Sequence, residues 1–305
     1  MESIKSNIYS VINYFHKDDR YNRITFGLDR NIYMKNLIRW RYADVLLLGV
    51  LFVIFLFTNW IPPFQRQFYI NDLTISHPFA EVERVSNAAL FFYSTWVPTI
   101  TIAAIGLIFT KPENKIYVTF ISLLGLFISV FTTSVVTDIL KNFIGRHRPD
   151  FLARCLPKPD APTDILVYAK DVCTTDNIDR LMDGFRTTPS GHSSISFAGL
   201  GYLSLWLSGQ LIVKHYQSGA WRSIVCMIPA FGAALIALSR TEDYRHHFID
   251  VIIGSVIGMN IAVWSYFRYF PSLKVAKSFE PKIILAEEES PDFAYENIDT
   301  TQEEV

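Results

Sequence analysis

Several things are missing from this chain of 305 residues, and each absence narrows what it can be. No internal repeat of solenoid length is visible, which removes the stacked-repeat architectures. The formal net charge is −1, so no basic surface announces a nucleic-acid partner. His-Glu-x-x-His is absent, and no set of His, Cys or Glu falls at metal-ligand spacing, so neither a resident metal nor a cofactor is expected. No Asn-x-Ser/Thr sequon occurs. The first 42 residues carry Lys5, Lys17, Arg20, Arg23, Arg30, Lys35, Arg39 and Arg41 without a preceding apolar h-region, which argues against a cleavable signal peptide.

What is abundant is apolar surface. Half the residues are hydrophobic, 15% are aromatic and mean hydropathy is +0.22, a composition that soluble domains seldom have. Six apolar stretches stand out at 43–61, 90–110, 116–140, 193–213, 223–239 and 249–267, most near the roughly 20 residues that a spanning helix requires. The reading is an all-α, polytopic membrane protein built as a six-transmembrane-helix bundle. It divides into a cytosolic basic segment at 1–42, a six-span domain at 43–268 and a cytosolic tail at 269–305. Glu287, Glu288, Glu289, Asp292, Glu296, Asp299, Glu303 and Glu304 make that tail acidic and core-poor, a composition that favours disorder.

The basic N-terminus points to the cytosol, and six crossings return the C-terminus to the same side. Lys111, Lys115, Lys214 and Arg222 fall in cytosolic connectors, while three polar motifs all fall on the opposite, lumenal or extracellular, side. Cys155 and Cys173 share the long loop there, where an oxidising lumen permits a disulfide, whereas Cys226 lies inside the fifth span.

The first motif runs from Lys141 to Pro149 and ends the third span. Pro149 prevents continuation of the helix and Gly145 permits a turn, so a compact loop can aim Lys141 and Arg148 at one anion. Snorkelling to the headgroups would explain the charge but not the pattern. Asp138, one turn before Lys141, reads as an orienting partner for it. The second motif, Pro189-Ser190-Gly191-His192, precedes the fourth span. An ordinary N-cap accounts for it, and so does a cradle in which backbone N–H groups and the Ser190 hydroxyl hold phosphate oxygens while Gly191 allows close approach. The third is Ser239-Arg240, followed by His246 and Asp250. A spacing of four puts His246 and Asp250 on one helix face, where the carboxylate orients one ring nitrogen and frees the other as a nucleophile. His247 points elsewhere and has no chemical role in this reading. Together the motifs supply three fixed cations, two histidines, a carboxylate and a glycine turn, an inventory for phosphoryl chemistry without a metal.

Lys-x6-Arg-Pro, Pro-Ser-Gly-His and Ser-Arg-x5-His-x3-Asp, in this order across six spans, resemble the signature of the type 2 phosphatidic acid phosphatase superfamily. The string Gly145 to Phe151 and the run Ser239 to Asp250 are similar to its lipid phosphate phosphatase branch, most closely to fungal diacylglycerol pyrophosphate phosphatases. The resemblance covers roughly 40–270. It implies metal-independent hydrolysis in which His246 attacks phosphorus to give a phosphohistidine, Asp250 fixes its tautomer and His192 protonates the leaving oxygen. Lys141, Arg148, Ser190, Gly191 and Arg240 would hold the phosphoryl oxygens. The residues alone leave open which histidine attacks. The implied partners are lipid phosphates in an endomembrane or plasma membrane. A sphingoid-phosphate or polyisoprenyl-pyrophosphate phosphatase and a non-catalytic phospholipid-binding protein are the alternatives. Intact His192, His246 and Asp250 argue against the last, because binding needs no nucleophile.

Overall fold

A computed structural model describes residues 32–58 and 60–289. Most of the basic N-terminal segment and the tail beyond 289 lie outside the described residues. The chain forms two units, 1–47 and 48–305. Helix α1 (Ile32–Arg39) lies in the first, and Arg41, with a positive φ of 54°, separates it from α2 (Tyr42–Thr58), whose residues from 48 onward belong to the second.

The second unit is all-helical, and among the described residues its only β pairing is two isolated bridges. Its long helices are α3 (Asn87–Phe109), α4 (Lys115–Ile144), α8 (Gly191–Gln210), α9 (Ala220–Glu242) and α10 (Phe248–Tyr269). Between α4 and α8 come the short helices α5 (Phe151–Cys155), α6 (Ala169–Val172) and α7 (Ile178–Asp183), and α11 (Lys282–Glu289) closes the described chain. Helices α3, α4, α9 and α10 are long and apolar enough to span a bilayer, with a fifth span if α1 and α2 form one bent crossing. Leu235, Ile228, Phe231, Ile252, Val256 and Trp264 are exposed on α9 and α10, as a lipid-facing surface requires.

Six independently apolar spans are therefore not what the described residues contain. The stretch expected at 193–213 is α8, where five serines and four glycines interrupt the apolar run. The physical reason is its position. Helix α8 is enclosed by α4, α9 and α10, and most of its residues are buried by protein. Small residues allow that closeness. A Cβ on Gly258 would come within 2.1 Å of the Ser194 carbonyl oxygen, and one on Gly254 within 2.5 Å of that of Ser190. The main core gathers Ile121, Leu126, Ile128, Tyr202, Trp206, Ala233 and Tyr266 around this contact.

A second, smaller core belongs to the loops at 60–86 and 145–190, where Phe68, Phe151, Val172 and Phe185 pack together beside a Cys155–Cys173 disulfide. The disulfide expected to be permitted there is thus present, and Cys226 is free and buried. The tail also differs from the sequence reading in its first part. Ile284 is buried in the main core, Ser278 donates to the Gly209 carbonyl at 3.0 Å and Gln210 to that of Phe279 at 3.1 Å. Residues 270–289 thus pack against the bundle because Phe270 and Ile284 supply apolar anchors among the acidic residues.

Candidate active site

Helix α4 stops where Gly145 takes φ 60° and its N–H bonds back to the Lys141 carbonyl at 3.2 Å. Any side chain at 145 would be strained there and would strike the Phe64 carbonyl oxygen, 2.0 Å from an added Cβ. The chain then delivers Arg148 to the same end of the bundle. Ser190 caps α8, accepting from the Ser193 N–H at 3.4 Å, and so sets His192 in the first turn. Arg240 comes from the last turn of α9.

These elements meet around one cavity of about 290 Å³, lined by Lys141, Arg148, His192, Arg240 and His246 from the three motifs. Gly191 adjoins it, since a Cβ there would lie 2.8 Å from the Lys141 Nζ. Ser190 and Asp250 are fully buried behind the wall, with the Ser190 N–H donating to the Asp250 carbonyl at 3.0 Å. Asp138 lines the cavity with Lys141.

The relation of His246 to Asp250 differs from the expected one. Helix α10 begins at Phe248, so His246 precedes it and the spacing of four does not operate. His247 is the N-cap, and Asp250 at N3 accepts from the His247 N–H at 2.9 Å, completing a capping box. Asp250 also accepts from Arg146 at 3.0 Å, from the Thr187 hydroxyl at 2.8 Å and from the Thr188 hydroxyl. The Nδ1 of His246 instead meets the Thr187 carbonyl at 2.7 Å, an acceptor that requires the proton on Nδ1 and leaves Nε2 with the lone pair. Asp250 reaches His246 only through Thr187, whose hydroxyl lies 3.3 Å from Nδ1. Burial, and then the charges of Arg148, Lys141 and Arg240, hold the His246 pKa well below the ordinary histidine value, so the ring is neutral at physiological pH.

Other residues of the cavity and its surround carried no motif. Glu83 pairs with Arg240 at 3.1 Å and with Arg245 at 3.0 Å, and the neighbouring Val85 carbonyl accepts from the Nε2 of His192 at 3.0 Å and from Arg240 at 3.1 Å. Asp183 pairs with Arg148 at 2.8 Å and with Arg154 at 2.9 Å. Arg186, Asn142, Asn87 and Thr58 complete the lining. The one available signal was charge in loops flanking the spans, which is too common to select them. Arg240 keeps its Nε buried without a hydrogen-bond partner, a donor an anion in the cavity can use.

His147 makes a pH-dependent contribution to this loop region. It is buried among Phe68, Phe151 and Phe185, and burial lowers its pKa to about 4. Between about 4 and the unfolded value near 6.5 the unfolded chain binds more protons, so stability falls as pH falls, by about 1.4 kcal/mol per pH unit for this group. Unfolding in detergent should show this acid loss in wild type and a flatter profile for His147→Gln. Identical profiles would contradict the assignment.

Comparison with known proteins agrees with the geometry. The PAP2 superfamily matches residues 122–273. The chain is 54% identical over 243 residues to diacylglycerol pyrophosphate phosphatase 1 of Saccharomyces cerevisiae, covering 80% of this chain and 84% of that protein. It is 39% identical to a probable diacylglycerol pyrophosphate phosphatase 1 of Schizosaccharomyces pombe, over 76% of this chain and 82% of that one. Lipid phosphate phosphatase 2 of Arabidopsis thaliana is 35% identical over 76% of this chain and 78% of its own length. No solved structure matches. An all-helical membrane enzyme with this cavity and these relatives belongs to the PAP2 superfamily, in its lipid phosphate phosphatase branch.

Proposed function

We propose that the protein hydrolyses diacylglycerol pyrophosphate to phosphatidate and phosphatidate to diacylglycerol, without a metal, through a phosphohistidine. The observation that carries this reading is the convergence of Lys141, Arg148, Arg240, His192 and His246 on one cavity. The printed names of the relatives support the substrate class.

In the proposed reaction the Nε2 lone pair of His246 forms a bond to phosphorus as the bond from phosphorus to the lipid oxygen breaks. Lys141, Arg148 and Arg240 hold the phosphoryl oxygens and neutralise the developing charge, with Ser190 and Gly191 shaping the helix end beside them. His192, protonated when the anionic substrate binds, gives its proton to the leaving oxygen. A water then attacks phosphorus, His192 accepts its proton, and the phosphorus–nitrogen bond breaks to release inorganic phosphate and neutral His246. Asp250 acts through Thr187, holding the carbonyl that fixes the His246 tautomer.

The proposed topology has six crossings, α2, α3, α4, α8, α9 and α10, with both termini cytosolic and the cavity on the lumenal or extracellular side of an endomembrane or the plasma membrane. Support comes from the alternation of helix ends. Thr58, Asn87, Lys141, His192, Arg240 and His246 line one cavity although their helices run alternately toward and away from it. Lys111 pairs with Glu280 at 3.9 Å at the other end, where the positive-inside bias puts it.

The purified protein, assayed in excess EDTA, should cleave both detergent-dispersed lipids and should cleave soluble glycerol phosphate far more slowly, because acyl chains can stay in hydrocarbon while the headgroup enters. An absolute Mg²⁺ requirement, or equal rates on soluble phosphate, would overturn the reading. His192→Ala should lower phosphatidate hydrolysis by about 10²- to 10⁴-fold. It should harm diacylglycerol pyrophosphate less, since phosphatidate leaves more readily than an alkoxide; equal losses on both lipids would remove the general acid role.

A further inference from the structure

Arg186 lies outside all three motifs, yet its side chain lines the catalytic cavity. Two neutral acceptors fix it. Its Nε donates to the Asn142 Oδ1 at 2.9 Å and one terminal nitrogen to the Ile61 carbonyl at 2.8 Å. Asn142 is itself tied to the chain leaving α2, through its side chain to the Thr58 carbonyl at 3.1 Å and through its own carbonyl to the Phe64 N–H at 2.8 Å. Among the described residues Arg186 has no carboxylate partner and its other terminal nitrogen makes no hydrogen bond, whereas Arg148 and Arg240 each hold a carboxylate.

Its position within the cavity is distinct as well. Arg186 is held at the Ile61 and Asn142 wall of the cavity, whereas His192 and Arg240 share the Val85 carbonyl as acceptor. Around the residues that hold Arg186, Ile61 and Asn142, the surface turns apolar. Trp60, Ile61, Phe64 and Phe143 are exposed there, with Trp60 86% and Phe143 76% accessible, as suits side chains that meet the bilayer edge.

A lipid pyrophosphate has the same linear order: acyl chains, the phosphate bonded to glycerol, then the terminal phosphate. With the terminal phosphorus at His246 and the acyl chains at the apolar rim, the inner phosphate falls where Arg186 presents its free N–H groups. We propose that Arg186 binds the glycerol-linked phosphate of a lipid pyrophosphate and thereby sets the preference of this enzyme for pyrophosphate over monophosphate lipids. The proposal rests on the lipid phosphatase reading above. A monoester has only the phosphoryl group under attack, so it gains nothing from this contact, and the preference is a difference between the two substrates.

The test compares kcat/KM on diacylglycerol pyrophosphate and on phosphatidate in the same detergent micelles for wild type, Arg186→Gln and Arg186→Lys. Losing a charge-assisted contact should lower the Arg186→Gln value on the pyrophosphate by about 10- to 100-fold while phosphatidate changes by less than about 3-fold. Arg186→Lys should recover most of the loss. An unchanged ratio, whether both substrates suffer equally or neither does, would reduce Arg186 to a structural clamp on Asn142 and Ile61. Failure of wild type on both lipids would instead sink the underlying function.

Discussion

His246→Ala should lose turnover and the phosphoenzyme together. The Thr187 carbonyl fixes the proton on Nδ1 and leaves Nε2 free for the proposed attack, and no other described side chain in the cavity has an equivalent neutral nitrogen except His192. His192 has its Nε2 engaged by the Val85 carbonyl. Removing an activated nucleophile costs about 10⁴-fold or more where the remaining groups still bind substrate. Rapid quench with radiolabelled phosphatidate should trap acid-labile, base-stable label on wild type and none on the variant. Stoichiometric label on His246→Ala would assign the attack to another group. A milder lesion is expected from Thr187→Val, since its carbonyl remains and only the hydroxyl link to Asp250 is lost.

The second large effect concerns stability. Arg154 is 2% accessible and uses its whole guanidinium: Nε and one terminal nitrogen meet both Asp150 oxygens at 2.9 and 3.0 Å, and the other reaches Asp183 at 2.9 Å and the Arg180 carbonyl at 3.0 Å. Asp150 is fully buried, and its next cation, Arg245, lies 3.7 Å away. Arg154→Ala therefore strands a buried carboxylate, which costs about 3–5 kcal/mol. Asp183 also loses a tether, so Arg148 should be less well held and the phosphatidate KM should rise. Denaturant unfolding in detergent checks the first part, and a loss below about 1 kcal/mol would mean that Asp150 relaxes to Arg245. The pair Asp150→Asn with Arg154→Met should recover part of the loss, because it removes the stranded charge.

These two sites differ in how far the sequence reveals them. His246 stands in a fixed spacing with Arg240 and Asp250, and that pattern is local enough to read. Its geometry is not, because a spacing of four implies one helix face only if both residues are helical. Asp250 at N3 of α10 announced a helix start at His247, but histidine is an uncommon N-cap and the sign was easily passed over. The long helices were legible from their apolar runs. Helix α8 was legible as a stretch, though not as one covered by protein, since serine and glycine say nothing about which neighbour they admit. Glu83 and Arg186 come from irregular loops and Asp183 from the end of the short helix α7, with no period to betray them, and only the fold brings them to Lys141 and Arg240.

The enclosure of α8 also bears on how the protein is made. Its serines are paired with helices that emerge at different times. Ser194 accepts from Thr137 of α4 at 2.9 Å, Ser129 of α4 donates to the Ala198 carbonyl at 2.9 Å, and Ser196 donates to the Ala233 carbonyl of α9 at 3.3 Å. During synthesis α4 leaves the ribosome before α8, while α9 and α10 follow it. A helix too polar to rest alone in lipid thus finds some of its hydrogen-bonding partners already waiting and others not yet translated. Helix α10, the last of the four to be synthesised, sets its glycines against Ser190 and Ser194 and follows directly on His246, so the centre of the bundle and the cavity both wait on its arrival.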